Sequence, residues 1–473
     1  MKGFLGTVGV ILLVAGSALA QVTFDFTGAG ARAEGMGKAF YGVSDDVSAA
    51  SWNPAGLIVH EKPMLGFSYG MFAPRGQFDN VEAQYDRSGS FNRVSLLSFI
   101  APVRVRGHQF VGGVSYSKVV DDYSSFNSAY DFRFSFTLPG TKITNMYPAY
   151  TEGSSEYHSA PFVLNFAFGT RMYRSVATGF SINVYTGSAI SEVRSVTTID
   201  SFPNLGRDTV QLVRLVSQGS TIDSAKYGGI NFTLGFRHTS DNLDAGLVIK
   251  TPFSLKYEYD RKSSIVNSFN GLVNTASSST IYMDNNLWKF EIPLIIGAGV
   301  GYRPNDKLLL ALDAELRQYS GKQIKSRDTI KILPGGNTEE AYSEFDPNYS
   351  NGVAIRGGGE YLWETGNHLF PVVPLRAGIA LVPVISLPSI SFNTDSLGHL
   401  VTPDSLPSPT RATEIVFSMG AGVRWTQIHL DAAYSFGAYT QNYQVGQVYD
   451  LRMPDVEEKA RNHQFTLTFT GYF

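Results

Sequence analysis

The stretch QIHLDAAYSFGAY (residues 427–439) sets the fold class. Ile428, Leu430, Ala432, Tyr434 and Phe436 share one face of a strand; His429, Asp431, Ala433 and Ser435 share the other. Period-two alternation of this kind marks a strand with one apolar face. The pattern returns in HQFTLTFTGYF (463–473), where Phe465, Leu467, Phe469 and Phe473 oppose Gln464, Thr466, Thr468 and Thr470. In KLLLALDAELR (307–317), Leu308, Leu310, Leu312, Ala314 and Leu316 oppose Leu309, Ala311, Asp313, Glu315 and Arg317. In APFVLNFAFGTR (160–171), Phe162, Leu164, Phe166 and Phe168 oppose Asn165, Ala167 and Gly169.

Fourteen such runs lie near 64–73, 91–102, 108–120, 160–171, 174–188, 226–238, 242–258, 287–303, 306–320, 350–364, 372–385, 412–425, 427–440 and 461–473. Short links with turn chemistry, such as Arg303-Pro304-Asn305-Asp306 and His238-Thr239-Ser240-Asp241, alternate with long polar connections (121–159, 189–225, 259–286, 321–349, 386–411, 441–460). This rhythm sorts the loops to two ends. An even strand number, short turns at one end and long loops at the other specify an all-β fold, a transmembrane antiparallel β-barrel of about 14 strands. A soluble sandwich or propeller also alternates, but it does not predict the long–short rhythm.

Composition agrees. The 473 residues include 32 Phe, 25 Tyr and 47 Gly, only 17% are charged, and the net charge is −3, which gives no broad basic field for nucleic acid. Mean hydropathy is −0.06, the average of two cancelling strand faces. There is no cysteine, so neither disulfides nor thiolate metal sites form, and the eight His are scattered, so no metal site is expected. Residues 1–20 read as a signal peptide: Lys2, an apolar run from Thr7 to Ala15, and Ala18-Leu19-Ala20 before cleavage at Gln21. The chain is therefore expected to be exported, with a hatch over 21–62 and the barrel over 63–473.

Fourteen strands enclose more space than side chains fill. Inward positions are moreover small: Ala177, Gly179, Ser181 and Asn183 on one strand, Gly297, Gly299 and Gly301 on another. The Gly- and Ala-rich segment before the first strand is the material available to occupy that space. Within it, DDVSAASWNPAGL (45–57) reads as a short helix with Asp45 and Asp46 in its first turn, ended at Asn53 by Pro54.

GARAEGMGKAFYGVSDDVSAASWNPAGL resembles the N-terminal hatch of the FadL family of outer-membrane transporters, with Asn53, Pro54, Ala55 and Gly56 matching the hatch motif. GLVIKTPF (246–253) is similar to a strand of that family carrying a Ser/Thr-Pro step. The barrels of type IX secretion, which shuttle or anchor secreted proteins, carry a similar N-terminal segment. The first resemblance implies a plugged barrel in the bacterial outer membrane, passive uptake of hydrophobic small molecules such as long-chain fatty acids, and a lateral exit. The second implies protein handling on the same fold. A strand ending at Phe473 is similar to the ends read by the barrel-assembly machinery, although Gly471 stands where an aromatic is common. Expected partners are this machinery during biogenesis, outer-membrane lipid and an apolar ligand. The barrel is expected to be a monomer, with no cofactor and no nucleic acid.

Candidate sites follow from these readings. In the resembled family a strand kink near the hatch forms the exit; here Gly112 and Gly113 could kink a strand, and Pro252 removes a ladder donor. Strand parity points Asp313, Glu315, Arg317, Arg356, Glu360, Arg376 and Asp431 into the lumen, to pair with one another, hold the hatch or meet a carboxylate. His429, Asp431 and Ser435 share a face, but the spacing is weak evidence for a hydrolytic triad, and no enzyme is expected. The glycines at 28, 30, 35 and 37 lack the flanking strand and GK[ST] of a phosphate loop.

Overall fold

The computed structural model describes residues 27–473 except 80–83, 120–121, 138–143, 206–209, 274–277, 332–337, 348, 385–392, 395–399, 402–411, 444–446, 449–450 and 453–455. The signal-peptide expectation for 1–20 lies outside the described residues. The wall is a closed 14-strand antiparallel barrel. Its strands are β1 Met64–Asp79, β2 Phe91–Val105, β3 His108–Lys118, β4 Phe162–Tyr173, β5 Val176–Leu205, β6 Val210–Thr239 and β7 Leu243–Lys250. The second half comprises β8 Ile295–Asn305, β9 Leu308–Arg317, β10 Gly352–Asn367, β11 Phe370–Val384, β12 Ala412–Arg424, β13 Ile428–Tyr443 and β14 Val456–Tyr472. Each strand pairs with the next, and β1 closes on β14 from Met64↔Tyr472 to Asp79↔Glu457. Closure leaves no strand edge unpaired in an apolar medium.

Each of the fourteen alternating runs falls on a wall strand, and two of them, 242–258 and 287–303, continue beyond it into Phe253–Phe269 and Ser279–Ile292. Outward residues are apolar: Phe67 on β1, Phe166 and Phe168 on β4, Phe232 and Leu234 on β6, Leu310 and Leu312 on β9, Phe465 and Leu467 on β14. Near the short-turn end, Tyr173, Tyr302, Tyr361, Trp363 and Phe370 form an exposed aromatic girdle, the place where rings with a polar edge sit best at a lipid boundary. The turns there are tight. Arg106 and Gly107 both have positive φ (49° and 81°), the two-residue hairpin geometry that follows strand twist.

One expectation needs correcting. Four of the connections read as long polar loops (121–159, 189–225, 259–286 and 321–349) are largely strand, while most of 386–411 lies outside the described residues. β5 and β6 are 30 residues each and pair from Val176↔His238 to Leu205↔Val210. Three further ribbons continue neighbouring strands: Asp122–Thr137 with Thr144–Ser159, Phe253–Phe269 with Ser279–Ile292, and Ile324–Lys331 with Thr338–Phe345. At roughly 3.3 Å per residue and a tilt near 40°, a 30-residue strand rises about 75 Å, three times an apolar band of about 25 Å. Beyond the band neither face has to be apolar, so hydropathy alternation fades although the backbone ladder persists.

The N-terminal segment lies inside the barrel. It holds α1 Ala31–Gly35, α2 Ala49–Trp52 and a 3-10 turn at Pro54–Val59. Met36, Phe40, Tyr41, Trp52 and Leu57 are fully buried. Trp52 stands edge-on to Phe40 and Tyr41, with centroids 5.8 and 5.9 Å away. The backbone turns extended at Asn53 (φ −140°), and Pro54 opens the next turn, where its missing N–H is not needed.

Candidate functional site

The segment is held by charge. Asp313 of β9 accepts from the Phe40 N–H (2.5 Å) and the Tyr41 N–H (2.7 Å). Glu315, one inward position along, accepts from the Tyr41 hydroxyl, from Arg317 Nε (2.6 Å) and from Arg356 (3.2 Å). Glu360 of β10 takes a two-pronged pair from Arg32 of α1, 3.0 Å to each oxygen, and further contacts from Arg376 (2.7 Å) and Arg424 (2.8 Å). Arg376 also lies 2.7 Å from Asp431. Apart from the half-buried Arg424, these wall groups are all but excluded from solvent, where an unpaired charge would cost several kcal/mol. Their pairing is therefore obligatory, and the N-terminal segment supplies part of it.

A second set was only partly legible in the sequence. Arg32 also pairs with Asp45, and Asp45 with Arg303 (3.2 Å). Arg303 and Arg237 (3.2 Å) meet on Asp244. Burial alone would raise the Asp45 carboxyl, but the Arg32, Arg237 and Arg303 guanidiniums outweigh it and hold it down to about 2. Burial, reinforced by the Glu315 carboxylate, keeps the Tyr41 hydroxyl protonated well above its ordinary value. Inward parity marks Arg237 and Asp244, which flank a short turn. Nothing periodic marks Arg32, Tyr41 or Asp45, because the inner segment is irregular.

The Asn53-Pro54-Ala55-Gly56 motif is a joint between segment and wall. The Asn53 amide donates to the Tyr41 carbonyl (3.0 Å) and to the Phe236 carbonyl of β6 (3.1 Å), while its oxygen accepts from the Ala55 N–H (3.1 Å). Gly56 fits against Ser44, where a Cβ would fall 1.9 Å from the carbonyl oxygen. The small wall residues are the other half of the joint. A Cβ at Gly179 would come within 2.2 Å of the Pro54 carbonyl carbon, and one at Gly235 within 2.2 Å of the Asn53 side chain. Gly179→Val is therefore expected to displace the 3-10 turn and weaken segment packing by about 1–3 kcal/mol. Faster protease cleavage within 27–62 in the folded barrel would register it. Cleavage at the wild-type rate would mean that the turn has room to shift.

Above the segment, buried amides cross adjacent strands. The Ser115 and Ser117 hydroxyls donate to Asn165, Asn165 to Asn183 (2.7 Å), Asn183 to Asn231 (2.8 Å), and Asn231 to the Thr251 carbonyl (3.4 Å). Further from the segment, inward residues become apolar and aromatic: Tyr185, Tyr227, Leu255, Tyr259, Phe290, Ile292 and Ile295, with Phe253, Tyr257 and Trp288 against them. Tyr185 and Phe253 stack at 4.6 Å, and the Tyr157 and Tyr227 hydroxyls share a 2.7 Å hydrogen bond.

Beside this cluster the wall ladder breaks. β7 pairs with β8 down to Lys250↔Ile295, and pairing resumes at Phe253↔Ile292. Register sets Thr251-Pro252 against Pro293-Leu294, and two of these four residues have no N–H to give. On the other side Thr251 bonds Phe232 of β6 by its N–H (2.9 Å) and accepts from the Phe232 N–H through its hydroxyl (3.0 Å). By contrast, pairing runs without a register shift through Gly112 and Gly113 toward both β2 and β4. Both glycines keep their ladder partners.

Across the lumen, a cavity of about 250 Å³ lies between Thr27–Gly30 and the wall, with Lys38, Arg93, Lys118 and Arg317 on its lining together with Glu34 and Glu414. His429, Asp431 and Ser435 do not meet as a triad: His429 Nδ1 bonds the Tyr472 hydroxyl (3.0 Å), Asp431 faces Arg376, and Ser435 donates to Glu34.

No family model matches the chain, and no curated protein matches it. Solved structures do. A FadL homologue from Pseudomonas aeruginosa superposes with a TM-score of 0.57 at 14% identity, covering 95% of this chain and 99% of that one. The Pseudomonas putida toluene transporter TodX gives 0.54 at 14% identity over 95% and 100%. The Ralstonia pickettii toluene transporter TbuX gives 0.54 at 12% over 95% and 99%. The chain thus has the FadL-type fold, a 14-strand antiparallel barrel with a few short helices.

Proposed function

We propose that this barrel is a passive conduit for hydrophobic small molecules, long-chain fatty acids among them, across the bacterial outer membrane. Residues 21–62 act as its hatch, and the break at Thr251-Pro252 and Pro293-Leu294 is its lateral opening. The observation that carries this reading is the adjacency of an aromatic-lined interior to that break. An apolar solute in the lumen has Phe253, Leu255, Phe290 and Ile292 beside it and two prolines where the wall lacks ladder bonds. A carboxylate head at the cavity over the hatch would compete with Glu34 for Lys38 and with Glu315 for Arg317, beside Arg93 and Lys118. The TodX and TbuX structures, named as toluene transporters, support the solute class.

The chain has no cysteine, so a lock can be placed cleanly. Thr251→Cys with Leu294→Cys, oxidised across the break, is expected to stop exchange of a fluorescent fatty acid between lumen and lipid while leaving detergent-phase binding intact; reduction restores exchange. Exchange that continues through the oxidised barrel would move the opening elsewhere. A lumen that yields no apolar ligand on lipid extraction, with a large secreted protein captured instead, would turn the reading to a protein-handling barrel.

A further inference from the structure

We infer that a row of lysines on the outside of the wall binds the phosphate headgroup of an outer-leaflet lipid. The inference rests on placing the barrel in a membrane and is independent of the conduit reading.

Lys256, Lys289 and Lys325 occupy neighbouring positions on three adjacent strands: Lys256 is directly across from Lys289, and Lys289 from Lys325. All three point outward, since their chain neighbours Leu255, Phe290 and Ile324 are buried inside. Like charges set directly opposite in a sheet are destabilising unless something neutralises them. Lys325 has carboxylates near, Glu344 at 2.9 Å and Glu291 at 3.7 Å. Lys256 and Lys289 have no ion-pair partner among the described residues, although Glu258 and Glu291 lie two positions along the same face.

Their height identifies the occupant. On these strands the apolar band starts near Leu243 and Tyr302 and includes Leu247, Ile249 and Val300. A band of about 25 Å is crossed in roughly ten residues at a 40° tilt. Lys256 and Lys289 stand ~13 residues from its start, so they lie about 7 Å beyond its far edge. A bilayer with a core of about 30 Å and a full thickness of about 40–45 Å keeps its headgroups in that layer. Two ammonium groups in register without an ion pair, directly above a lipid-facing surface, are complementary to a phosphate whose acyl chains lie on the band below.

Native mass spectrometry tests this with the full barrel in nanodiscs of phosphatidylcholine containing a minor fraction of phosphatidic acid. The wild type is expected to retain phosphatidic acid, and Lys256→Gln with Lys289→Gln to lower that retention about tenfold. The Lys256→Arg/Lys289→Arg pair is expected to keep it, and Lys307→Gln at the short-turn end to leave it unchanged. Equal retention by the wild type and the Gln pair would overturn the site. Displacement of the lipid by inorganic phosphate would also overturn it, because the site would then be one for a free anion.

Discussion

Removal of residues 22–57 from an assembled barrel should raise its ion conductance in a planar bilayer by on the order of tenfold, from near baseline to a steady open current. The segment contributes Met36, Phe40, Tyr41, Trp52 and Leu57 to the interior, all fully buried. It also covers the wall carboxylates Asp313, Glu315 and Glu360. Without it, water would meet those groups and the small inward faces at Gly179, Gly235 and Gly358. A Cβ on Gly358 would now lie 2.2 Å from the Met36 carbonyl oxygen. Fourteen strands cannot shrink to fill such a hole, since strand number and tilt fix the diameter. Unchanged current after removal would sink the plug reading, because it would mean that the wall closes on itself.

The second large effect is at Glu360. Its two oxygens serve Arg32, Arg376 and Arg424 together. Glu360→Ala would leave the buried Arg32 and Arg376 guanidiniums and the half-buried Arg424 with Asp431 and Asp45 as the remaining carboxylates in contact. Removing the shared partner of buried charges costs about 3–5 kcal/mol. The loss should be local, read as hydrogen exchange through residues 27–62 that is on the order of a hundredfold faster or more, while the wall strands keep their protection. Arg32→Ala should cost less, since Glu360 keeps two cations. Equal exchange in the two variants would show that the carboxylate does not organise the cluster.

The wall was legible because its chemistry is periodic. Leu308 to Arg317 alternate strictly, and parity alone sends Asp313, Glu315 and Arg317 inward, where each is buried. The ribbons beyond the apolar band were hidden for the converse reason. In Thr144–Ser159, polar and apolar residues mix because water or a polar interior accepts either. Pairing across the chain was out of reach as well. Pro252 is visible in sequence, but Pro293 becomes its counterpart only through the register of β7 on β8. The small inward residues carried a double meaning: Gly179 reads as empty space until Pro54 is seen resting on it. Arg32 and Tyr41 were the least legible, because α1 and the following turns have no repeating face and take their roles from partners some 270 to 330 residues away.

Those separations bear on how the barrel is assembled. The Ala31 N–H donates to the Thr468 hydroxyl across 437 positions, and Glu34 receives a hydrogen bond from Ser435 across 401. The segment that comes first along the chain is thus ordered by the strands that come last. Closing loops of this size carries the full entropic cost before any contact forms, and such topologies fold slowly. Until β14 pairs with β1, the Ala31 N–H lacks its Thr468 acceptor in a closed wall and the segment is held only by other strands, such as β10 through Glu360. Closure of the seam and seating of the segment should therefore be one kinetic event, and a barrel arrested before its last strand would be both open-edged and unplugged.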